Sequence, residues 1–205
     1  IDTTGIQQHN IDTMLWRHWI VSFAVRFTMK FSNTNEYNFV ECGVGEGVSS
    51  FFALREILAN KKINKNYLMH FYDSWNAMRK EDLSPNEISK TNSYSNLNIE
   101  TVKKNLLEFK NNIIYHVGFI PESFNCKPNS PNSIIYLHID LNSKKATLDS
   151  LHFFYDRLVS GGIILFDDYG WMEYGETKKT IDKFLHNKEG MLQKLPTGQA
   201  IFYKK

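Results

Sequence analysis

The chain has 205 residues, of which 42% are hydrophobic and 22% charged, and its formal net charge is +2. That length suits one folded domain with a substantial core, and the composition is that of an ordinary soluble protein. The small net charge, with its lysines scattered rather than striped, leaves no electrostatic footprint for nucleic acid or an anionic membrane.

Cys42 and Cys126 make neither metal-ligand spacing nor a disulfide framework, and a reducing cytoplasm is the expected compartment. The sequence starts at Ile1, as a processed or truncated chain does. The most apolar early stretch, Met14 to Met29, is broken by Arg17, His18 and Arg26, so it reads neither as a membrane span nor as a signal peptide.

In chain order, apolar residues first recur at helical spacing from Ile11 to Phe31, with Trp16, Trp19 or Ile20, Phe23 and Phe27 on one face. The spacing predicts a long helix in an N-terminal extension, residues 1–36, with that face packed against a domain spanning 37–205. Tyr37–Val40 then reads as a strand running into the glycine-rich turn Glu41-Cys42-Gly43-Val44-Gly45-Glu46-Gly47. A helix is predicted over Val48–Ala59, and a strand over Tyr67–Tyr72 that stops at Asp73. Asn76–Asn98 is polar and reads as a mobile loop with room for a short helix.

A helix over Ile99–Phe109 and strands over Asn112–His116 and Ser133–Ile139 follow, the last ending at Asp140. The helix predicted for Ala146–Leu158 stops at Gly161-Gly162. Strand Ile163–Phe166 ends in Asp167-Asp168, and helix Glu176–His186 precedes a terminal hairpin around Pro196-Thr197-Gly198. Strands alternating with helices predict an α/β, doubly wound, Rossmann-like sheet that binds ligands at the carboxyl ends of its strands. Glu41 with the glycines, Asp73, Asp140, Asp167 and Asp168 should therefore share one rim.

Gly43, Gly45 and Gly47 let backbone amides approach a ligand, or they simply shape a tight turn. Asp73 favours the ligand, because a carboxylate there can accept both hydroxyls of a ribose lying over the glycines. A dinucleotide fold shares this geometry, but its G-x-G-x-x-G/A pattern has a small residue where Val48 stands. Glu41 suits an ammonium group better than a phosphate, which points away from a nicotinamide-dependent oxidoreductase. If the strands ending at Asp140 and Asp167-Asp168 are neighbours, their ends lie about 5 Å apart. Three carboxylates there repel one another unless a hard divalent cation joins them, or unless one caps a turn and the others are solvated. His138 points to the same side as Asp140 and is a candidate general base, although a strand histidine is more often a packed core residue. His70 and His116 are weaker candidates.

With these residues in place, the chain resembles the macrocin O-methyltransferase family of class I S-adenosylmethionine-dependent methyltransferases. The similarity rests on the blocks Val40–Ser50, Phe71-Tyr72-Asp73-Ser74-Trp75, Val117–Phe124, Leu137–Asp140 and Leu158–Gly170, in that order. The resemblance implies seven strands with the last antiparallel, S-adenosylmethionine as cofactor, and a sugar or small natural-product hydroxyl as acceptor. It implies that Glu41, Gly43, Gly45, Gly47 and Ser49 surround the methionine half of the cofactor. Asp73, followed by Ser74, would take the ribose, and Gly118-Phe119 would lie beside the adenine. In metal-dependent members, aspartates matching Asp140, Asp167 and Asp168 hold magnesium beside the acceptor hydroxyl. Asn142 stands where members commonly carry a further aspartate, so the acceptor surface is altered. The alternatives are a metal-independent methyltransferase and a non-catalytic cofactor-binding module. The expected partners are a small-molecule or glycan acceptor and a second copy of the chain, with no nucleic acid and no membrane.

Overall fold

The computed structural model describes residues 14–60 and 66–205. A seven-stranded sheet has β1 (Tyr37–Cys42), β2 (Tyr67–Asp73), β3 (Ile113–Val117), β4 (Ile134–Ile139), β5 (Leu158–Phe166), β6 (Gly190–Lys194) and β7 (Ala200–Lys204) in the spatial order β3-β2-β1-β4-β5-β7-β6. The first five strands pair in parallel, and β7 runs antiparallel to both β5 and β6. The order reverses between β1 and β4, and a doubly wound sheet opens a crevice at such a point.

Alternation along the strands divides the core in two. Phe39, Met69, Phe71, Tyr136 and Leu165 face α1 (Leu15–Phe31), α2 (Val48–Ala59) and α3 (Ile99–Asn105). Val40, Cys42, Leu137, Ile164 and Phe202 face α4 (Lys144–Phe154) and α5 (Gly175–Leu185). Among the described residues, no helix is long and apolar enough to cross a membrane.

Three expectations need correction. The helix placed over Ala146–Leu158 ends at Phe154, and Leu158-Val159-Ser160 already belong to β5. Gly161 and Gly162 are strand glycines rather than a helix stop. At Gly161 (φ +78°) a Cβ would overlap the carbonyl oxygen of Phe31, so the glycine admits the end of α1 against β5.

The face of α1 also differs. Ile20, Val21, Ala24, Val25 and Thr28 are buried, and the Thr28 hydroxyl donates to the Ile135 carbonyl of β4. Small and β-branched residues let the helix lie close to the sheet. Phe23 and Phe27 pack on the flank of the core, whereas Trp16 and Trp19 are 75% and 57% exposed. α1 thus shares the core of the rest of the chain. The expected helix start at Ile11–Thr13 lies outside the described residues.

Finally, Asn76–Asn98 is not an unstructured loop. It contains 3-10 turns at Lys80–Asp82 and Pro85–Lys90, the second closed by a reciprocal cap between Ser84 and Glu87. Glu87 accepts from the amide of Lys144 at 2.9 Å, and Ser143 donates to the Asp82 carbonyl at 2.8 Å. Those bonds pin the segment to the start of α4.

Candidate functional site

Backbone hydrogen bonds carry the parallel ladder past the strand ends and gather the rim. Gly43 donates to Tyr72, Asp140 to Cys42, Asp167 to Ile139 and Gly118 to Asp73, all at 2.9–3.0 Å. A cavity of about 270 Å³ opens above these ends. Gly43, Gly45, Asp73, Ser74, Gly118, Phe119 and Asp140 all line it. Of the residues expected at the site, Glu41, Gly47, Ser49, His138, Asp167 and Asp168 do not.

The glycines divide by role. At Gly43 (φ +83°) a Cβ would overlap the Asp140 carbonyl, so this residue lets the turn touch the end of β4. Gly45 (φ +56°) meets nothing within 4 Å and leaves the cavity open. Gly47 (φ +86°) faces Val102 of α3 and Leu106 at its C-terminal end, so its requirement is helix packing. Asp73 fixes the turn from β2. One carboxylate oxygen accepts from the amides of Val44 (2.8 Å) and Gly45 (3.0 Å), and the other from Trp75 (2.7 Å).

Glu41 and His138 lie underneath, at paired positions on β1 and β4. They are 1% and 0% exposed. His138 Nδ1 and Glu41 Oε1 are 3.1 Å apart, and Ser50 donates to the other Glu41 oxygen at 2.5 Å. The strand alternation that aims Glu41 towards α2 buries it behind the turn, and His138 follows as its neighbour. His138 is thereby the packed, hydrogen-bonded core residue and does not reach the cavity.

The aspartates are distributed unevenly. Ligand atoms of His138, Asp140 and Asp167 lie within 4.8 Å of one another, and Asp168 is outside that group. Asp168 borders a small recess with Asn142, Tyr169 and Thr177, and its Oδ2 is buried without a hydrogen-bond partner among the described residues. Its pKa is raised to about 7, chiefly by burial and then by the charge of Asp140. Asp140 is raised too, by burial first, while His138 and Arg17 pull it down. Asp167 is already engaged. Arg17 of α1 forms an ion pair with its carboxylate, and the Gln199 amide donates to Oδ1 at 2.7 Å. His138, Asp140 and Asp167 are close enough to share a cation, but as arranged the Asp167 carboxylate is occupied by a guanidinium and an amide rather than open to a metal.

Several residues lining the cavity carry no sequence signal of their own. Met78, Arg79, Asp82, Tyr94 and Leu97 form a wall from the segment read as a loop. Arg79 lies over the Phe119 ring at 3.8 Å and pairs with Asp82 (2.6 Å) and Glu122 (2.9 Å). Asn142, in a left-handed conformation (φ 54°), accepts from the Tyr174 hydroxyl through its side chain, and from Lys90 (3.1 Å) through its carbonyl. That conformation is rare outside Gly, Asn and Asp, which suits the asparagine standing where the resemblance places an aspartate.

The macrocin-O-methyltransferase (TylF) family profile matches residues 13–204. A search of the curated proteins gives no match. Among solved structures, the O-methyltransferase NovP is similar with a TM-score of 0.77 at 18% identity, over 92% of this chain and 79% of that one. The calicheamicin methyltransferase CalS11 is similar with a TM-score of 0.72 at 14% identity, over 96% and 80%. A methyltransferase of Podospora anserina, PaMTH1, bound to S-adenosylhomocysteine (SAH), gives 0.57 at 14% identity, over 91% and 76%. At these identities the likeness is one of fold.

Proposed function

This chain belongs to the macrocin O-methyltransferase family, and on that premise we propose that it transfers the methyl group of S-adenosylmethionine to a hydroxyl of a sugar or other small natural product. The observation that carries the proposal is a cavity whose lining joins the glycine turn and Asp73 with Gly118-Phe119, Asp140 and Asn142. The methionine half would lie over Gly43 and Gly45, the ribose against Asp73 and Ser74, and the adenine by Phe119. Glu41 and Gly47 would act from behind the turn by setting its shape. CalS11 is described as a TDP-rhamnose 3'-O-methyltransferase, which supports a sugar hydroxyl as acceptor.

The sulfonium carries an activated methyl, so the protein has to align an acceptor oxygen in line with the carbon–sulfur bond and exclude water. The new carbon–oxygen bond forms as the carbon–sulfur bond breaks, releasing SAH. The acceptor proton passes to a carboxylate, and Asp140 is the one that lines the cavity with a pKa raised by burial. Magnesium dependence is not carried into this proposal, because Arg17 and Gln199 hold Asp167.

Calorimetry with SAH tests the cofactor, and methyl transfer from labelled S-adenosylmethionine to a panel of nucleotide sugars and glycosides tests the acceptor. Micromolar binding with turnover on a sugar hydroxyl is expected. Binding of NADH in place of SAH would overturn the assignment.

A further inference from the structure

Arg17 reaches the rim from the first turn of α1, 150 residues away in sequence from the carboxylate it meets. Its Nε is 3.3 Å from Asp167 Oδ1, a terminal nitrogen forms the ion pair with Oδ2, and the same nitrogen lies 3.4 Å from the Asp167 carbonyl. The guanidinium also sits 5.6 Å from the Trp171 ring centre, and the Arg17 side chain is only 15% exposed. Its charge acts on Asp140 and Asp168 as well as on its direct partner. One partly buried cation thus serves three carboxylates.

We propose that Arg17 is the resident counter-cation of the aspartate rim, so that its guanidinium and a divalent metal ion are alternative occupants of the same place. Charge and room both favour the guanidinium. Carboxylates crowded at the ends of adjacent strands need a positive charge, and a planar guanidinium with several donors supplies one without a metal. A divalent ion entering beside it would meet like charge at low dielectric and would have to displace the ion pair with Asp167. Arg17 is not one of the residues that line the cavity. It is a positioning residue that holds Asp167 and lowers the charge around Asp140.

The test reads metal affinity directly, by electron paramagnetic resonance of free Mn2+ titrated with the purified chain, so it needs no acceptor. Wild type should bind Mn2+ weakly. Arg17→Met should bind at least tenfold more tightly, and the gain should vanish in Arg17→Met with Asp167→Asn and Asp168→Asn. Arg17→Gln, which keeps a donor but loses the charge, is the second variant in case Met is poorly tolerated, and should also gain. Arg17→Lys, which keeps the charge, should stay weak. Equal affinity in wild type and a folded neutral variant overturns the proposal, as does tight binding by wild type. SAH calorimetry on the same proteins reads the cofactor assignment separately, so the two can fail independently.

Discussion

The carboxylate of Asp73, at the end of β2, holds the amide of Gly45 in the turn after β1 at 3.0 Å. The same oxygen takes the Val44 amide, and the Trp75 indole closes the arrangement by donating to the Gly45 carbonyl at 3.0 Å. Asp73 therefore shapes the floor of the cavity before it meets any ribose. Hydrogen bonds to a charged acceptor are each worth about 1.5–3 kcal/mol. Asp73→Asn removes the charge and leaves one acceptor oxygen where two are used. It should weaken SAH binding at least tenfold in calorimetry and lower the melting temperature. Unchanged affinity would remove Asp73 from the cofactor site.

Gly43 and Gly45 separate stability from binding. Gly43→Ala drives a methyl into the Asp140 carbonyl at positive φ and should cost several kcal/mol, of the order seen for overpacked and strained sites. Gly45→Ala meets no protein atom and carries only the left-handed penalty, roughly 1 kcal/mol. Its methyl occupies space left open beside the cavity, so SAH affinity should fall far more than stability. Urea unfolding and calorimetry on both variants check this ordering. A Gly45→Ala protein that binds SAH normally would show that the cofactor lies elsewhere.

Asp140 and His138 are two residues apart on one strand end and are expected to behave differently. Asp140 lines the cavity, whereas His138 is fully buried against Glu41. Asp140→Asn should lower kcat at least 100-fold with SAH affinity changed by less than about threefold, within the range that a lost general base costs. His138→Gln should reduce stability by about 1–3 kcal/mol, since it strains a buried hydrogen bond, and leave the shape of the pH–rate profile unchanged. Loss of a limb of that profile in His138→Gln would restore the histidine to the chemistry.

The positions of the strands and the polar residues that end them were legible because both follow from local signals: short apolar runs, each ending in a polar residue. What escaped depends on contacts between distant residues. Gly161 looked like a helix stop, and only the approach of Phe31 explains it. Trp16 and Trp19 fit a buried stripe as well as Ile20 and Ala24 do, and the choice was made by the small residues that let α1 lie close to β4 and β5. Glu41 carried the right chemistry for an ammonium group, but strand alternation turned it beneath the turn, towards Ser50. The wall from Met78 to Leu97 was hidden because its order comes from Glu87 and Ser143 bonding across about 60 residues, not from an apolar period.

Away from the cavity, His70 on β2 and His116 on β3 form a buried pair, with Nδ1 and Nε2 3.0 Å apart and the Tyr72 ring stacked on His116 at 4.1 Å. Burial pushes both pKa values down to about 4, and at His70 the neighbouring His116 adds to the effect. The folded values lie below the unfolded value of about 6.5, so the unfolded chain takes up protons first as pH falls. The pair's contribution is therefore fully present above about pH 6.5 and is lost progressively between pH 6.5 and 4. Each unit of depression corresponds to about 1.4 kcal/mol per histidine, which allows a loss of up to about 4 kcal/mol from the pair at pH 5. Urea unfolding at pH 7.5 and pH 5.0, in wild type and in His70→Gln/His116→Gln, isolates the term from other titrating groups. The double variant should lose markedly less stability on acidification than wild type does. Equal losses would mean that the two histidines accept protons in the folded protein as readily as in the unfolded chain.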